Sequence, residues 1–347
     1  TQSASGTLAF TGGISGAKAL TKAGAGTVVF ASTNSYTGIT TLDDGLLRLD
    51  NASGLPGGID NTVGAGEGVL AFEGGVLGLA TGDFTRQMGT GAGQLDWVNG
   101  SGGFAAFGSD RQVRLNNATT AFSWGSTILG NGNILILSHS TATHMLDFRN
   151  GISFAGQKRT VHVEDGVAAV DATLSGKLTG GTSSGFIKTG PGVLSLTNAT
   201  NDYTGVTTVA DGLLRVQHAT ALPSGNLELT GGGVLGLGTG DLTTRTIGTG
   251  ADQVQWLGSG GFAADVGVMH AQSHDNDYAA RRELLEHLEQ AARSVVGQLG
   301  DDARLVGARA RGQLTTAAHE HEARDGVRVV ADEVAEPLRA QHAGVTR

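Results

Sequence analysis

The chain of 347 residues has no cysteine, which excludes a disulfide framework and any thiolate metal site. The same absence fits a polypeptide that crosses an oxidising compartment unfolded, where stray thiols would cross-link. Proline is held to four residues and aromatics to 5%. No run of 18 apolar residues occurs, so no segment can span a bilayer as a helix. Positive charge is short as well: 23 Lys and Arg against 32 Asp and Glu leave a formal net charge of −9. No basic stripe is available to displace counterions, which argues against nucleic acid. The chain opens at Thr1 without Met or a leader pattern and reads as a processed or excised fragment.

Glycine, by contrast, is abundant. The chain has 58, far above the usual share of about 7%, yet no Gly-X-Y period appears and collagen is excluded. Hydrophobic residues make up 39%, too many for a simple disordered chain. The glycines punctuate short runs of Val, Leu, Ile and Thr, the pattern of many short strands and tight turns.

These runs form a long internal repeat. Residues 22–49 read KAGAGTVVFASTNSYTGITTLDDGLLRL and residues 188–216 read KTGPGVLSLTNATNDYTGVTTVADGLLRV. The copies begin near residues 18 and 184, and Tyr36 and Tyr203 lie 167 positions apart. The match continues through Leu55-Pro56 and Leu222-Pro223, then GGVLGLATGD (Gly74–Asp83) and GGVLGLGTGD (Gly232–Asp241). It ends in GSGGFAA at Gly100–Ala106 and again at Gly258–Ala264. A long Gly- and Thr-rich repeat with short apolar runs marks a stacked β-solenoid.

The spacing predicts strands at Thr7–Phe10, Thr27–Ala31, Thr37–Leu42, Leu46–Asp50, Val69–Phe72 and Val76–Leu79. The intervening stretch adds Gln112–Leu115, Ile134–Leu137, Thr160–Glu164 and Ala168–Leu174. The second copy repeats the opening set at Val193–Thr197, Thr204–Val209, Leu213–Val216, Leu227–Leu229 and Val234–Leu237. At roughly 20–25 residues per coil, residues 1–264 make on the order of 11–13 coils of a right-handed parallel β-helix. A β-sandwich or propeller is the competing all-β fold, but the Asn-Gly and Asp-Gly hairpin signals it needs are scarce.

Composition changes near residue 265. Residues 1–264 hold 13 of the 23 Lys and Arg and 18 of the 32 Asp and Glu. The last 83 residues hold the rest, with 6 of the 10 His and none of the 11 Phe. This places a boundary between a β-helical body, 1–264, and a charged Arg- and His-rich tail, 265–347. The tail reads as helical or poorly ordered. Leu284, Leu285, Leu288, Ala292, Val295 and Leu299 share helical spacing within Tyr278–Leu299, and Val327, Val330, Val334 and Leu338 form a second stripe.

The repeat resembles the passenger-associated transport repeat of autotransporter proteins: a Lys-Thr-Gly-x-Gly-Thr-Leu strand, an Asn-x-Tyr-x-Gly turn, a Thr-Thr-Val strand, then Gly-x-Leu-x-Leu. Lys22, Gly24, Gly26, Thr27, Tyr36, Gly38, Thr40, Thr41, Gly45 and Leu47 match it. Lys188, Gly190, Gly192, Tyr203, Gly205, Thr207, Thr208, Gly212 and Leu214 match it again. The resemblance covers roughly residues 6–264 and implies a secreted right-handed β-helix, at the surface of a Gram-negative bacterium or released from it. It also implies a C-terminal outer-membrane translocator β-barrel as partner, with host-surface adhesion or self-association as plausible roles. The alternating ten-residue strands of such a barrel do not follow residue 264. This departure points to a truncated gene, a recombination scar or a frame change that appended the tail, with a helical partner domain as the alternative.

Catalysis has a weaker case. Asp43, Asp44 and Asp211 flank the Gly-Leu-Leu-Arg turns, and Asp83 and Asp241 recur in the Thr-Gly-Asp turns. Paired carboxylates hydrolyse glycosides when suitably spaced, so a polysaccharide-active β-helix is the rival. An Asp before Gly in a turn also simply accepts backbone hydrogen bonds, and an active site is usually singular where these acids repeat. Arg48 and Arg215 are expected to be solvated, Tyr36 and Tyr203 to pack at coil corners, and Trp97 and Trp256 to pack structurally. His319-Glu320-His321-Glu322 lacks metal-ligand spacing on a helix. No catalytic, cofactor or metal residue is assigned, and the twelve singled-out positions are structural: Lys22, Gly24, Gly26, Tyr36, Gly38, Gly45 and their counterparts Lys188, Gly190, Gly192, Tyr203, Gly205 and Gly212.

Overall fold

A computed structural model describes residues 6–60, 68–97, 99–125, 129–238 and 245–264. The tail read as helical or poorly ordered, with both of its apolar stripes and its His-Glu pairs, lies outside the described residues.

Short strands separated by Gly, Asn and Asp cannot fold back as hairpins without suitable turns, so they stack coil on coil. Every pairing between strands is parallel. Eleven strands form one long sheet: Thr7–Phe10, Thr27–Phe30, Leu46–Leu49, Val76–Leu79, Gly102–Ala106, Ile134–Leu137, Lys158–Val163, Gly185–Thr189, Thr207–Val209, Leu227–Leu229 and Val254–Trp256. At about 4.8 Å per step this sheet runs for about 48 Å. A seven-stranded sheet starts at Arg111–Val113 and ends at Gly260–Ala264, and sheets of four, three and two strands line the remaining sides. Successive long-sheet strands begin between 19 residues (Thr27 to Leu46) and 32 residues (Gly102 to Ile134) apart, a wider range than the expected coil length.

The core lies inside the coils. Leu47, Leu49, Leu77, Leu79, Phe104 and Leu137 point inward and are buried, as are Trp97, Phe148 and Phe186. Phe72, Phe84, Trp97 and Phe104 interlock with ring centroids 4.8–5.7 Å apart. Each buried Leu or Phe side chain contributes about 1.5–3 kcal/mol, so this continuous stack is the main stabilising term.

Two features depart from a plain stack. First, the residues between the long and seven-stranded sheets swell outward in successive coils. The Gly108 amide donates to Thr143 Oγ1 (3.1 Å), Met145 N–H to Asp110 Oδ1 (3.0 Å) and Val167 N–H to the Ala142 carbonyl (2.9 Å). The swelling shortens the strand expected over 168–174 to Ala172–Leu174. It also covers an outer patch of the long sheet, where Leu46, Val76, Ala105, Phe107 and Ala142 form a second apolar cluster.

Second, the two repeat copies sit on different sides of the rod. Thr40–Leu42 and Leu46–Leu49 lie in the four-stranded and eleven-stranded sheets, whereas Thr207–Val209 and Leu213–Val216 lie in the eleven-stranded and seven-stranded sheets. Local pairing is the same in both: Arg48 registers with Gly78 and then Ala105, and Arg215 with Gly236 and then Ala263. The copies are thus separated by whole coils plus one further side.

Candidate functional site

The repeat signature builds one recurring corner. Lys22 ends the strand Leu20–Lys22 and Lys188 stands one residue before the end of Gly185–Thr189, and both lysines are buried. Lys22 Nζ donates to the carbonyls of Gly24 (2.5 Å) and, one coil on, Asp44 (2.8 Å). Lys188 Nζ does the same to Gly190 (2.5 Å) and Asp211 (2.9 Å). An ammonium offers three donors and no acceptor, so it can tie two stacked turns whose carbonyls converge. Burial pushes Lys188 down to about 8 against the opposing pull of Asp211, Asp171 and Asp165, and it lowers Lys22 against Asp44 and Asp43.

The turn that receives each lysine needs glycine. Gly45 and Gly212 have φ near +65° and +59°, and a Cβ there would sit 2.7 and 2.6 Å from the lysine Nζ. Gly26 and Gly192 supply carbonyls to the next coil, accepting from Leu46 and Leu213 N–H at 3.3 and 3.4 Å. At the opposite corner Gly38 and Gly205 let backbones touch: an added Cβ would lie 2.3 Å from the Lys18 carbonyl and 1.8 Å from that of Ser184. Beside them Tyr36 and Tyr203 are buried, with hydroxyls 2.6 Å from Thr40 Oγ1 and 2.7 Å from Thr207 Oγ1. Desolvation raises both phenols, Tyr203 to about 12.

Two partners of these corners are not among the twelve singled-out positions. Asn34 accepts from Ile14 N–H in the coil before (2.7 Å) and donates to the Gly54 carbonyl in the coil after (2.7 Å). Asn201 repeats the bridge with Leu178 (2.9 Å) and Ala221 (2.8 Å). Arg86 is buried and clamps the carbonyls of Pro56 (2.6 Å) and Gly58 (2.5 Å); Arg245 holds those of Pro223 and Gly225. The signal was in plain view, since Asn34 and Asn201 stand two residues before the tyrosines and both Leu-Pro turns are followed by an Arg.

The recurring acids accept backbone N–H groups. Asp44 Oδ1 accepts from Gly45 N–H (2.7 Å), Asp211 Oδ1 from Gly212 N–H (2.8 Å) and Asp83 Oδ1 from Gln112 N–H (2.9 Å); Asp241 lies outside the described residues. Among the described residues no three metal-ligating side chains converge. Trp97 is buried against Phe72 and Phe104, and Trp256 is half-buried against Phe262. The arginines differ from the expectation of two solvated side chains. Arg215 is buried, and Arg48 is 34% exposed and held by Asp50 through Nε–Oδ1 and Nη2–Oδ2 contacts of 2.7 Å each. The guanidinium of Arg48 also lies 5.6 Å from the centroid of Phe107. Around this pair opens a groove of about 440 Å³, bounded by Ala80, Thr81, Gly108 and Thr143.

Comparison with known proteins agrees with this geometry. The family described as the passenger-associated-transport-repeat matches residues 20–49 and 186–216, the two segments that carry the lysine and tyrosine corners. The chain is also similar to the adhesin BmaC autotransporter of Brucella suis biovar 1 (strain 1330), at 29% identity over 288 residues. That alignment covers 67% of this chain and 8% of the relative, so the chain spans less than a tenth of its length. No solved structure matches.

Proposed function

We propose that the chain, whose two matches to the passenger-associated-transport-repeat lie on a parallel β-solenoid, is a surface-displayed adhesive segment of an autotransporter passenger without enzymatic activity. In this reading an outer-membrane translocator β-barrel delivers it through the envelope of a Gram-negative bacterium. The solenoid then holds binding surfaces away from the cell or mediates contact between cells. The solenoid body ends near residue 264.

The observation that carries the proposal is the coincidence of the repeat matches with the buried Lys–Gly corners. The signature residues hold coils together, which is the work of a scaffold. Similarity to a protein named an adhesin adds support. The rival reading, polysaccharide cleavage, draws no support from the recurring Asp side chains, which accept backbone N–H groups.

The test is display. The full chain fused ahead of a translocator barrel should raise attachment of a laboratory Gram-negative strain to cultured epithelial cells or to itself, compared with the barrel alone. Equal attachment with the chain demonstrably on the surface would refute the adhesive role. Release of reducing ends from a polysaccharide panel would favour the rival.

A further inference from the structure

Arg159 is a buried cation held by uncharged groups. We propose that Asn131, which touches it from the turn before Ile134–Leu137, is a self-deamidation site, and that the aspartate formed there gives Arg159 its counter-charge. The site stands apart from any adhesive role.

The cation comes first. Arg159 is 3% exposed. Its Nε donates to the Phe154 carbonyl (3.0 Å), Nη2 to the Trp124 carbonyl (2.6 Å) and Nη1 to Asn131 Oδ1 (2.9 Å). The guanidinium also lies 5.8 Å from the centroid of the Trp124 ring. Among the described residues no carboxylate pairs with it. Burial disfavours the charged form and lowers the Arg159 pKa. A carboxylate in place of the Asn131 amide would meet the same Nη1 through a charge-assisted hydrogen bond.

The turn supplies the chemistry. Asn131 and Gly132 are both exposed. Gly132 has φ +83°, and a Cβ placed on it would meet nothing within 4 Å. Asn133 N–H closes the turn onto the Gly130 carbonyl (3.2 Å), so the Gly132 nitrogen takes no part in the closing bond. Lacking a Cβ, Gly132 also lets the chain swing into the ring-closing geometry. Its nitrogen loses a proton to water and attacks Asn131 Cγ. The Cγ–Nδ2 bond then breaks, and the amide nitrogen leaves as ammonia after taking up a proton. Water opens the resulting succinimide at Cγ to give aspartate, or at the main-chain carbonyl to give isoaspartate. Arg159, donating to Oδ1, draws electrons from Cγ and stabilises the oxyanion of the addition step.

The two other Asn-Gly pairs are built differently. Asn150 is 3% exposed, and its Oδ1 accepts from Leu115 N–H (2.7 Å). Its Nδ2 donates to the carbonyls of Leu115, Ala118 and Thr120 at 3.1 Å each, and Gly151 N–H is engaged by the Thr119 carbonyl (3.1 Å). Asn99 is exposed, but Gly100 is pressed against Glu73, whose Cα would lie 2.3 Å from an added Cβ.

The experiment incubates the full chain in warm, mildly alkaline buffer and maps its peptides by mass spectrometry over time. Asn131 should lose its amide about ten-fold or more faster than Asn99 or Asn150, and Gly132→Ala should slow that loss by about the same factor. A second arm measures urea midpoints of Asn131→Asp, which carries the aspartate product from the start. Its midpoint should lie above that of the wild type at neutral pH. Arg159 depresses the native pKa of the new carboxylate, so the shift should vanish as pH falls through that value, below about 4. Asn99→Asp, the control, should show no such shift. Conversion of Asn131 no faster than that of Asn99 and Asn150 would overturn the site. A midpoint of Asn131→Asp at or below the wild type would overturn the counter-charge.

Discussion

Lys188 is the residue whose chemistry can be read most directly. A cation whose native pKa is depressed is destabilising while it is charged in both states, and that cost is relieved as the native protein deprotonates first. With a native value of about 8 against about 10.5 in the unfolded chain, relief runs from pH 8 to pH 10.5 and amounts to about 3 kcal/mol. The stability of wild type relative to Lys188→Met should therefore be flat below pH 8 and rise through that window, read from urea midpoints at each pH. A flat difference up to pH 10.5 would mean that the carbonyls of Gly190 and Asp211 already compensate the buried charge. Recurrence singled out the lysines and tyrosines, but not their partners. A buried ammonium solvated by carbonyls one coil away is a long-range arrangement that no local pattern encodes.

Elements show where sequence reading succeeds and where it stops. Strands such as Ile134–Leu137 and Leu213–Val216 were legible because Val, Leu and Ile dominate them. Gly102–Ala106 was not, because its glycines look like a turn. In the fold Gly103 sits where a Cβ would be 1.6 Å from the Ile136 carbonyl of the neighbouring strand, so glycine here permits close stacking rather than a bend. The same logic governs the corner glycines. Gly205→Ala should lower unfolding stability by about 3 kcal/mol, since its Cβ would land on the Ser184 carbonyl. Gly181→Ala, with nothing within 4 Å of its Cβ and no positive φ, should change little. Equal denaturation midpoints for the two variants would show that the corner has slack.

On the scale of the whole molecule, the solenoid class was legible because glycine punctuation and the long repeat agree. The outward swelling over the long sheet was not. Residues 107–110, 138–145 and 164–170 leave the coil as ordinary polar loops in sequence, and only stacking brings Phe107 over Gly78 and Arg48. The groove depends on that meeting, so its residues carried no joint signal. The proposed end of the body can be checked by limited proteolysis with mass mapping: a resistant core should stop near residue 264. Protection continuing through 278–340 would move the boundary into the tail.

The displacement of the second repeat by one side of the rod means that the modules are out of phase with the coil. Identical turns, such as those carrying Asp44 and Asp211, look out in different compass directions along the same axis. An antibody against that turn would decorate one rod from two azimuths, and two bound copies would not crowd each other as they would on a single flank. A fibre built from modules in this phase needs no preferred roll to meet a flat surface, because rotating it about its axis exchanges one copy of the motif for the next.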